Sequence, residues 1–290
     1  MKEGLDSNLP YISVIIPVYN DYENLFICLN ALKEQDYPKN KTEIIVIDNL
    51  SDKIPEKIKE YNVVLLNEDK FKSSYAARNK GITISKGNVI AFIDSDCIPN
   101  SDWLCAGINC IIDKNADLVG GNIEFLIKKN SFFHTFDSRF HLQQEFNIGN
   151  NTGITANLFV NKLLFEKLGL FPEWISGGDS YWTNKAVNDG CKLVFSKQAV
   201  VKHPSRGFWG LLKKRKRTGI GFVQRLQFEG RSRFYILKKL VILSFIYPKK
   251  PIPKGLPKIS GFFNYLFSHK MISYSALSGI YYLLFCSKRK

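Results

Sequence analysis

Ile12 to Val18 is apolar but for Ser13, which predicts a buried strand; Leu25, Leu29 and Leu32 then recur at helical spacing until Asp36-Tyr37-Pro38 ends the helix. Glu43 to Asp48 predicts the next strand, residues 52–60 a short polar helix, and Val63 to Leu66 a third strand. Ser73 to Ser85 reads as a helix closed by Gly87 as a left-handed cap, and Val89 to Ile93 as a fourth strand. Ser101 is expected to cap another helix that presents Leu104, Ile108 and Ile111 on one face. Strands alternating with helices over the first 110 residues are the signature of βαβ units, so the fold class expected is α/β with a mainly parallel sheet flanked by helices.

Beyond Asp117 the pattern loosens through Gly120-Gly121, a polar and aromatic stretch from Phe132 to Phe146, and the turn formers of Asn147 to Gly153. Irregular stretches of this kind often carry function. Regularity returns with a strand at Asn157 to Val160, helices at Lys162 to Leu168 and Asp179 to Asp189, and two short strands, Lys192 to Phe195 and Ala199 to Lys202.

After His203-Pro204 the chemistry of the chain changes. The 41 Lys and Arg against 26 Asp and Glu give a net charge of +15, but residues 202–290 hold 20 of the bases and a single acid, Glu229. The upstream part therefore carries −4 and the last 89 residues +19. This predicts three parts: a ligand-binding half over 1–115, a second half of the same domain over 116–205, and a basic, partly apolar helical appendage over 206–290 whose partner is anionic.

A composition of 45% hydrophobic and 23% charged residues excludes a disordered or fibrous chain. Six cysteines without a C-x-x-C pair suit a reducing compartment better than a disulfide scaffold. The opening MKEGLDSNLP lacks the pattern of a secretory signal. Met271 to Ser287 is uncharged over 17 residues but contains four serines, short of the about 20 apolar residues of a spanning helix. A cytoplasmic protein peripheral to the inner face of the cell membrane is the expectation.

In open α/β sheets ligands bind outside the carboxyl ends of the strands. Here those ends read Pro17-Val18-Tyr19-Asn20, Asp48-Asn49-Leu50-Ser51-Asp52 and Asp94-Ser95-Asp96, with no dinucleotide or P-loop glycine pattern after any of them. Asp94 and Asp96 at one strand end suit a hard cation that bridges phosphate oxygens; a turn closed by Asp and Ser side chains is the plainer alternative.

The ordered set PVYN, the acidic end of strand two, Tyr75-Ala76-Ala77-Arg78-Asn79-Lys80-Gly81 and FIDSDCIP resembles inverting glycosyltransferase family 2, over roughly residues 11–205. The resemblance implies a GT-A nucleotide-sugar fold, with Mn²⁺ or Mg²⁺ held by Asp96, and Asp94 as a second ligand or ribose contact. It further implies Asp48 on the base, and Pro17, Tyr19 and Asn20 lining the nucleoside pocket. Arg78 is expected to neutralise phosphate charge or, equally, to pair with Asp94 or Asp48. The family's Glu-Asp motif appears here as Gly178-Asp179, a departure at the Glu. Asp179 keeps the role of catalytic base, and an N-cap role is compatible with it because a helix N-terminus favours the ionised carboxylate. Trp182 is implied as an acceptor platform, with a buried core Trp as the competing reading. His203 is implied at the metal or diphosphate, with a structural His as the competing reading, and Arg206 at phosphate.

The donor expected is a nucleotide-diphosphate sugar, UDP-sugar foremost, because a carboxylate at Asp48 accepts the imide proton of uracil; guanine and thymine also offer donors to an acid. Gln224-Arg225-Leu226-Gln227-Phe228 does not match the Q-x-x-R-W of processive synthases, which points to transfer of a single sugar to a hydroxyl of a glycan or lipid-linked acceptor in surface polysaccharide synthesis. Lys213-Lys214-Arg215-Lys216-Arg217 beside the apolar segments Leu240 to Tyr247 and Met271 to Cys286, with Phe262, Phe263, Tyr265, Phe267, Tyr281 and Tyr282, suits an anionic membrane surface ahead of packed helices or nucleic acid. Two other functional classes compete: a sugar nucleotidyltransferase, which calls for a Gly-rich turn with Arg and Lys after strand one, and a non-catalytic basic adaptor.

Overall fold

The computed structural model describes residues 9–127, 131–245 and 258–287, the stretch 258–266 as backbone. Lys249-Lys250, Lys288-Arg289-Lys290, Tyr247 and the side chains of Phe262, Phe263 and Tyr265 lie outside the described residues. The chain forms two compact units, the first from residues 1–126, 142–173 and 178–204, the second from 127–141, 174–177 and 205–290. Two segments that the sequence placed within 116–205 thus belong to the second unit.

In chain order the first unit contains β1 (Ile12–Val18), α1 (Tyr22–Lys33), β2 (Thr42–Asp48), β3 (Val64–Asn67), α2 (Ser74–Ile84), β4 (Val89–Ile93), β5 (Ile98–Pro99), α3 (Trp103–Lys114) and β6 (Leu118–Leu126). After α4, which belongs to the second unit, come α5 (Gln144–Ile148), β7 (Asn157–Asn161), α6 (Leu163–Leu168), α7 (Gly178–Asn188) and β8 (Leu193–Pro204). One eight-stranded sheet runs in the order β3-β2-β1-β4-β7-β6-β8-β5. Strands β3, β2, β1 and β4 are mutually parallel, β7 is antiparallel to β4 and β6, and β8 runs parallel to β6.

The apolar run of β1 is buried throughout because its two faces serve two cores. Val14, Ile16 and Val18 pack toward α1 and α3, and Ile15 packs with Ile45, Ile47 and Phe92 on the other face. Each such side chain is worth roughly 1.5–3 kcal/mol in apolar transfer. Pairing of β1 with β4 ends at Ile15–Phe92 while pairing with β2 continues to Val18–Asp48. The strands therefore part at their carboxyl ends where strand order reverses, which opens the crevice in which such sheets bind ligands.

Several local expectations need correction. Residues 56–60 form a 3₁₀ turn where a polar helix over 52–60 was expected. Helix α2 ends on Ser85, and Gly87 is instead required by close approach, since a Cβ there would lie 2.5 Å from the Ser13 amide nitrogen. Helix α3 begins after Asp102 without a side-chain cap, so Ser101 does not cap it. The two short strands before His203 are one strand, β8, in which the register against β6 slips at Gly121/Asn122 and residues 197–199 bulge out. The irregular stretch after Asp117 contains β6 and α5, and α4 in the second unit.

The second unit holds α4 (Phe132–Phe140), α8 (Phe208–Phe228), α9 (Arg233–Phe245) and α10 (Lys258–Tyr281), the last continued by a π-turn over Tyr282–Cys286. Phe136, Leu211 and Met271 form one small core, and Val223, Leu226, Ile236, Leu240, Ala276 and Leu283 another. Helices α8 and α10 touch backbone to backbone at Gly219, where a Cβ would sit 1.9 Å from the Ser275 carbonyl oxygen. No described helix is long and apolar enough to cross a membrane.

Within this unit Asp137 is fully buried, at 2.7 Å from Nδ1 of His141, and accepts the Arg206 backbone N–H at 2.8 Å, with the Arg206 guanidinium 3.6 Å away. Arg206, expected at phosphate, is thus committed to Asp137. Burial tends to raise the Asp137 carboxyl, but the His141 hydrogen bond and Arg206 outweigh it and hold it below its ordinary range. His141 stands 2.8 Å from Arg215 through Nε2, and burial, against the pull of Asp137, pushes it down to about 4. A His depressed in the folded state binds fewer protons than the unfolded chain between that value and about 6.5, so its stabilising contribution is full above about pH 6.5 and is lost as pH falls toward 4. The expected loss is about 3 kcal/mol. Urea titrations between pH 7.5 and 4.5 should show that slope, and His141→Gln, which keeps a donor and an acceptor, should flatten it; an unchanged slope in the variant would assign the effect elsewhere.

The six cysteines form no disulfide; Cys28 and Cys97 are buried and Cys286 is exposed.

Candidate active site

The turn after β1 and the turn after β2 hold each other. Asn20, at φ 49°, donates its N–H to Ser51 Oγ and its side-chain N–H to Asp52 Oδ2, and its Oδ1 accepts from the Asp52 amide, all at 2.8 Å. Asp48 is buried, its two oxygens accepting from the Tyr22 hydroxyl at 2.9 Å and the Ser51 amide at 3.0 Å. Pro17 is buried within β1. Tyr19 is 44% exposed, and Lys72 lies 3.8 Å from its ring centroid and donates to its hydroxyl. Lys72 had no signal in the sequence beyond its charge; only the fold brings the loop after β3 beside the end of β1.

The two acids after β4 separate. Asp94 accepts from Arg78 Nη2 at 2.5 Å, whereas Asp96 faces His203, with Oδ2 3.6 Å from Nε2. Arg78 is buried and its Nε has no protein partner among the described residues, an open donor beside Asp94. His203 Nδ1 lies 2.7 Å from the Pro204 carbonyl, which accepts only, so Nδ1 carries a proton and Nε2 is the ring nitrogen that faces Asp96. Asp96, Cys97 and His203 offer ligand atoms within 4.8 Å of one another, a set whose carboxylate and imidazole suit a divalent cation.

Asp179 stands in the first turn of α7, 7% exposed, and four donors address its carboxylate. Oδ1 accepts from the Tyr75 hydroxyl and the Ser180 amide, both at 2.8 Å, and Oδ2 from the Thr155 amide at 3.1 Å and hydroxyl at 3.2 Å. Helix α2 joins these pieces: Tyr75 reaches Asp179, Arg78 reaches Asp94 and lies 5.6 Å from the Tyr75 ring, and the Asn79 side chain bonds the Phe171 backbone in both directions. The Gly178 departure has a steric reason, since a Cβ there would meet the Pro172 carbonyl oxygen at 2.8 Å and the Tyr75 ring at 3.1 Å.

Trp182 is not an acceptor platform. It is 1% exposed, stacks on Phe165 at 4.5 Å between centroids, meets Phe171 at 5.3 Å, and donates its indole N–H to the Gly169 carbonyl at 2.6 Å. Trp182→Ala is expected to cost about 3–5 kcal/mol in unfolding free energy. Trp182→Phe should leave acceptor KM unchanged, and a selective rise in KM in that folded variant would restore the platform role.

The sheet order and the acidic strand ends define a GT-A scaffold, a mixed, mostly parallel sheet flanked by helices. A mannosyltransferase of Pyrobaculum calidifontis, solved in complex with GDP-Man and Mn²⁺, superposes with a TM-score of 0.59 at 19% identity, over 98% of this chain and 78% of that one. TarS 1-349 of S. aureus, solved in complex with UDP, superposes with a TM-score of 0.55 at 16% identity, over 96% and 93%. Residues 13–169 match the family described as Glycosyl transferase family 2, and the glycosyltransferase AglE of Haloferax volcanii is 41% identical over 258 residues, 85% of this chain and 84% of that protein. The chain belongs to glycosyl transferase family 2. The nucleotidyltransferase and adaptor readings give way to it, and with the family come a nucleotide-sugar donor and a glycan acceptor.

Proposed function

We propose that this protein transfers a single sugar, with inversion and with the help of a divalent cation, from a UDP-sugar to a hydroxyl of a glycan or lipid-linked acceptor in surface polysaccharide synthesis. The observation that carries the reading is the carboxylate of Asp179, fixed by four donors at the start of α7. An oriented base of this kind takes the proton of the acceptor hydroxyl as its oxygen attacks the anomeric carbon and the bond to the diphosphate oxygen breaks. One displacement inverts the centre and leaves the nucleoside diphosphate. For the acceptor hydroxyl to reach Asp179 it must take over one of the four lone-pair positions, and the longest bond, from the Thr155 hydroxyl, is the one to yield.

Asp96 and His203 would hold Mn²⁺, with Asp94 beside them paired to Arg78. When bound, that ion supplies positive charge to the diphosphate. Arg78 adds a buried guanidinium with a donor to spare. Tyr19 offers an exposed ring for stacking in the nucleoside pocket, and Asp48 accepts the imide proton of uracil once the ligand replaces the Ser51 amide.

Two relatives bear names that suit such an acceptor. One is a dolichyl N-acetyl-alpha-D-glucosaminyl phosphate 3-beta-D-2,3-diacetamido-2,3-dideoxy-beta-D-glucuronosyltransferase of Methanococcus voltae, 26% identical over 68% of this chain and 67% of that protein. The other is a UDP-Glc:alpha-D-GlcNAc-diphosphoundecaprenol beta-1,3-glucosyltransferase of Escherichia coli, 29% identical over 43% of this chain and 50% of that protein. The basic residues of 206–290 suit an anionic membrane surface at the cytoplasmic side, where a lipid-linked acceptor resides.

Calorimetric titration with UDP, GDP and dTDP, with and without Mn²⁺, tests the donor. Mn²⁺-dependent binding of UDP at micromolar concentration supports the reading; preference for GDP or dTDP would replace the base, and no binding by the folded protein would overturn it.

A further inference from the structure

Two stripes of exposed apolar side chains run along the second unit. On α10 and its π-turn, Tyr274, Leu277, Tyr281, Leu284 and Phe285 are exposed at intervals of three or four residues, about one helical turn, and the rings of Tyr281 and Phe285 lie 5.3 Å apart. On α9 the exposed apolar residues are Phe234, Tyr235, Val241, Ile242 and Phe245, with Phe234 78% and Phe245 77% accessible. Arg233 donates to the Leu283 carbonyl and Ser273 to the Ser244 carbonyl, so the helices lie antiparallel, start against end. We propose that this antiparallel pair lies flat in the headgroup region of an anionic lipid bilayer, inserting both stripes without spanning.

The occupant is set by charge. Residues 205–290 contain one acid, Glu229, among 19 Lys and Arg, and Lys238, Lys239 and Lys270 are exposed on the same two helices. An apolar stripe interleaved with Lys, with aromatic rings among its members, matches an interface with acyl chains below and anionic headgroups above. The inference rests on the membrane-proximal reading above and adds which face inserts and how.

Co-flotation of the full chain with phosphatidylglycerol-phosphatidylcholine vesicles tests it, beside pure phosphatidylcholine vesicles. Binding to the anionic vesicles that weakens with salt, and a fall of at least tenfold in partitioning for Leu277→Glu and for Phe234→Glu, is expected. Absent binding by the wild-type chain, or equal binding by both variants, overturns it, as does a dimer in sedimentation that the same variants dissolve. Nucleotide binding measured without vesicles stays at the wild-type value in both variants, so a loss of nucleotide binding in the wild type would strike the transferase reading and not this one.

A second inference stands on separate observations. We infer that Tyr75 is a positioning residue for Asp179, standing beside it where the family resemblance expects a Glu at 178. Its hydroxyl is buried and 2.8 Å from Oδ1, and Gly178 leaves the space its ring occupies. Burial, reinforced by the charge of Asp179, pushes the phenol well above its ordinary range, so it remains a donor. Tyr75 and Arg78 from α2, Thr155 before β7 and Ser180 of α7 are the polar and charged groups around the carboxylate. Tyr75→Phe keeps the ring and is expected to lower kcat about tenfold with donor Kd and acceptor KM unchanged, a split that a merely structural role would not produce. Wild-type kcat in the folded variant, or a loss that falls on Kd and KM alone, overturns it. Should Asp179→Asn itself retain turnover, the base assignment fails and not the hydrogen bond.

Discussion

Asp179→Asn is expected to reduce kcat by about 10³-fold while leaving nucleotide affinity within about twofold, since general-base contributions fall in the range of 10²–10⁴. The amide keeps the shape of the carboxylate and one acceptor oxygen, which can serve either the Tyr75 hydroxyl or the Thr155 pair, but its NH₂ then faces the other donors. A stability loss of roughly 1–3 kcal/mol should accompany the kinetic effect. Single-turnover measurement separates chemistry from product release, and a thermal melt confirms that the variant is folded. Wild-type turnover in the folded variant would remove Asp179 from the reaction.

The second large effect belongs to the acids after β4. Asp96→Asn is expected to abolish Mn²⁺-dependent nucleotide binding, with at least a 10²-fold rise in Kd in the presence of the metal and little change in its absence, because it removes the charged oxygen from the Asp96, Cys97 and His203 set. Asp94→Asn should behave differently. Its carboxylate is engaged with buried Arg78 at 2.5 Å, so its loss leaves a buried guanidinium less well compensated and lowers stability as well as binding. Titration calorimetry in Mn²⁺ and in chelator, beside melting curves, tells the two apart. Equal effects of the two substitutions would show that the structure has separated acids that act together.

The contrast shows what the residues disclosed before the fold did. The first half was legible because its strands are short, mainly apolar runs, two of which lead into acids, and β1 and β4 fall where that pattern put them. Strand β6 was not legible: Gly120-Gly121 interrupts its apolar pattern, and the glycines are there because Gln144, Ile148, Asn157 and the Ala199 carbonyl crowd the backbone. Strand β8 looked like two because of its bulge. At the site, side-chain type told which residues are chemical but not which face each other. Trp182 reads equally well as a platform or a core residue until Phe165 and Phe171 enclose it. Tyr75 and Thr155 escaped notice because their function lies in a contact with Asp179, 104 and 24 residues away in sequence.

The distribution of the cysteines has a practical consequence. A thiol reacts as its thiolate. Burial, reinforced by the charges of Asp96 and Asp94, pushes the Cys28 and Cys97 thiols well above their ordinary range, so both resist maleimides in the folded protein. Cys286 is exposed at the end of the π-turn, immediately after Phe285. Brief labelling of the native chain therefore favours Cys286, and a polarity-sensitive dye attached there would report its surroundings from a position fixed by the sequence itself, with no engineered residue.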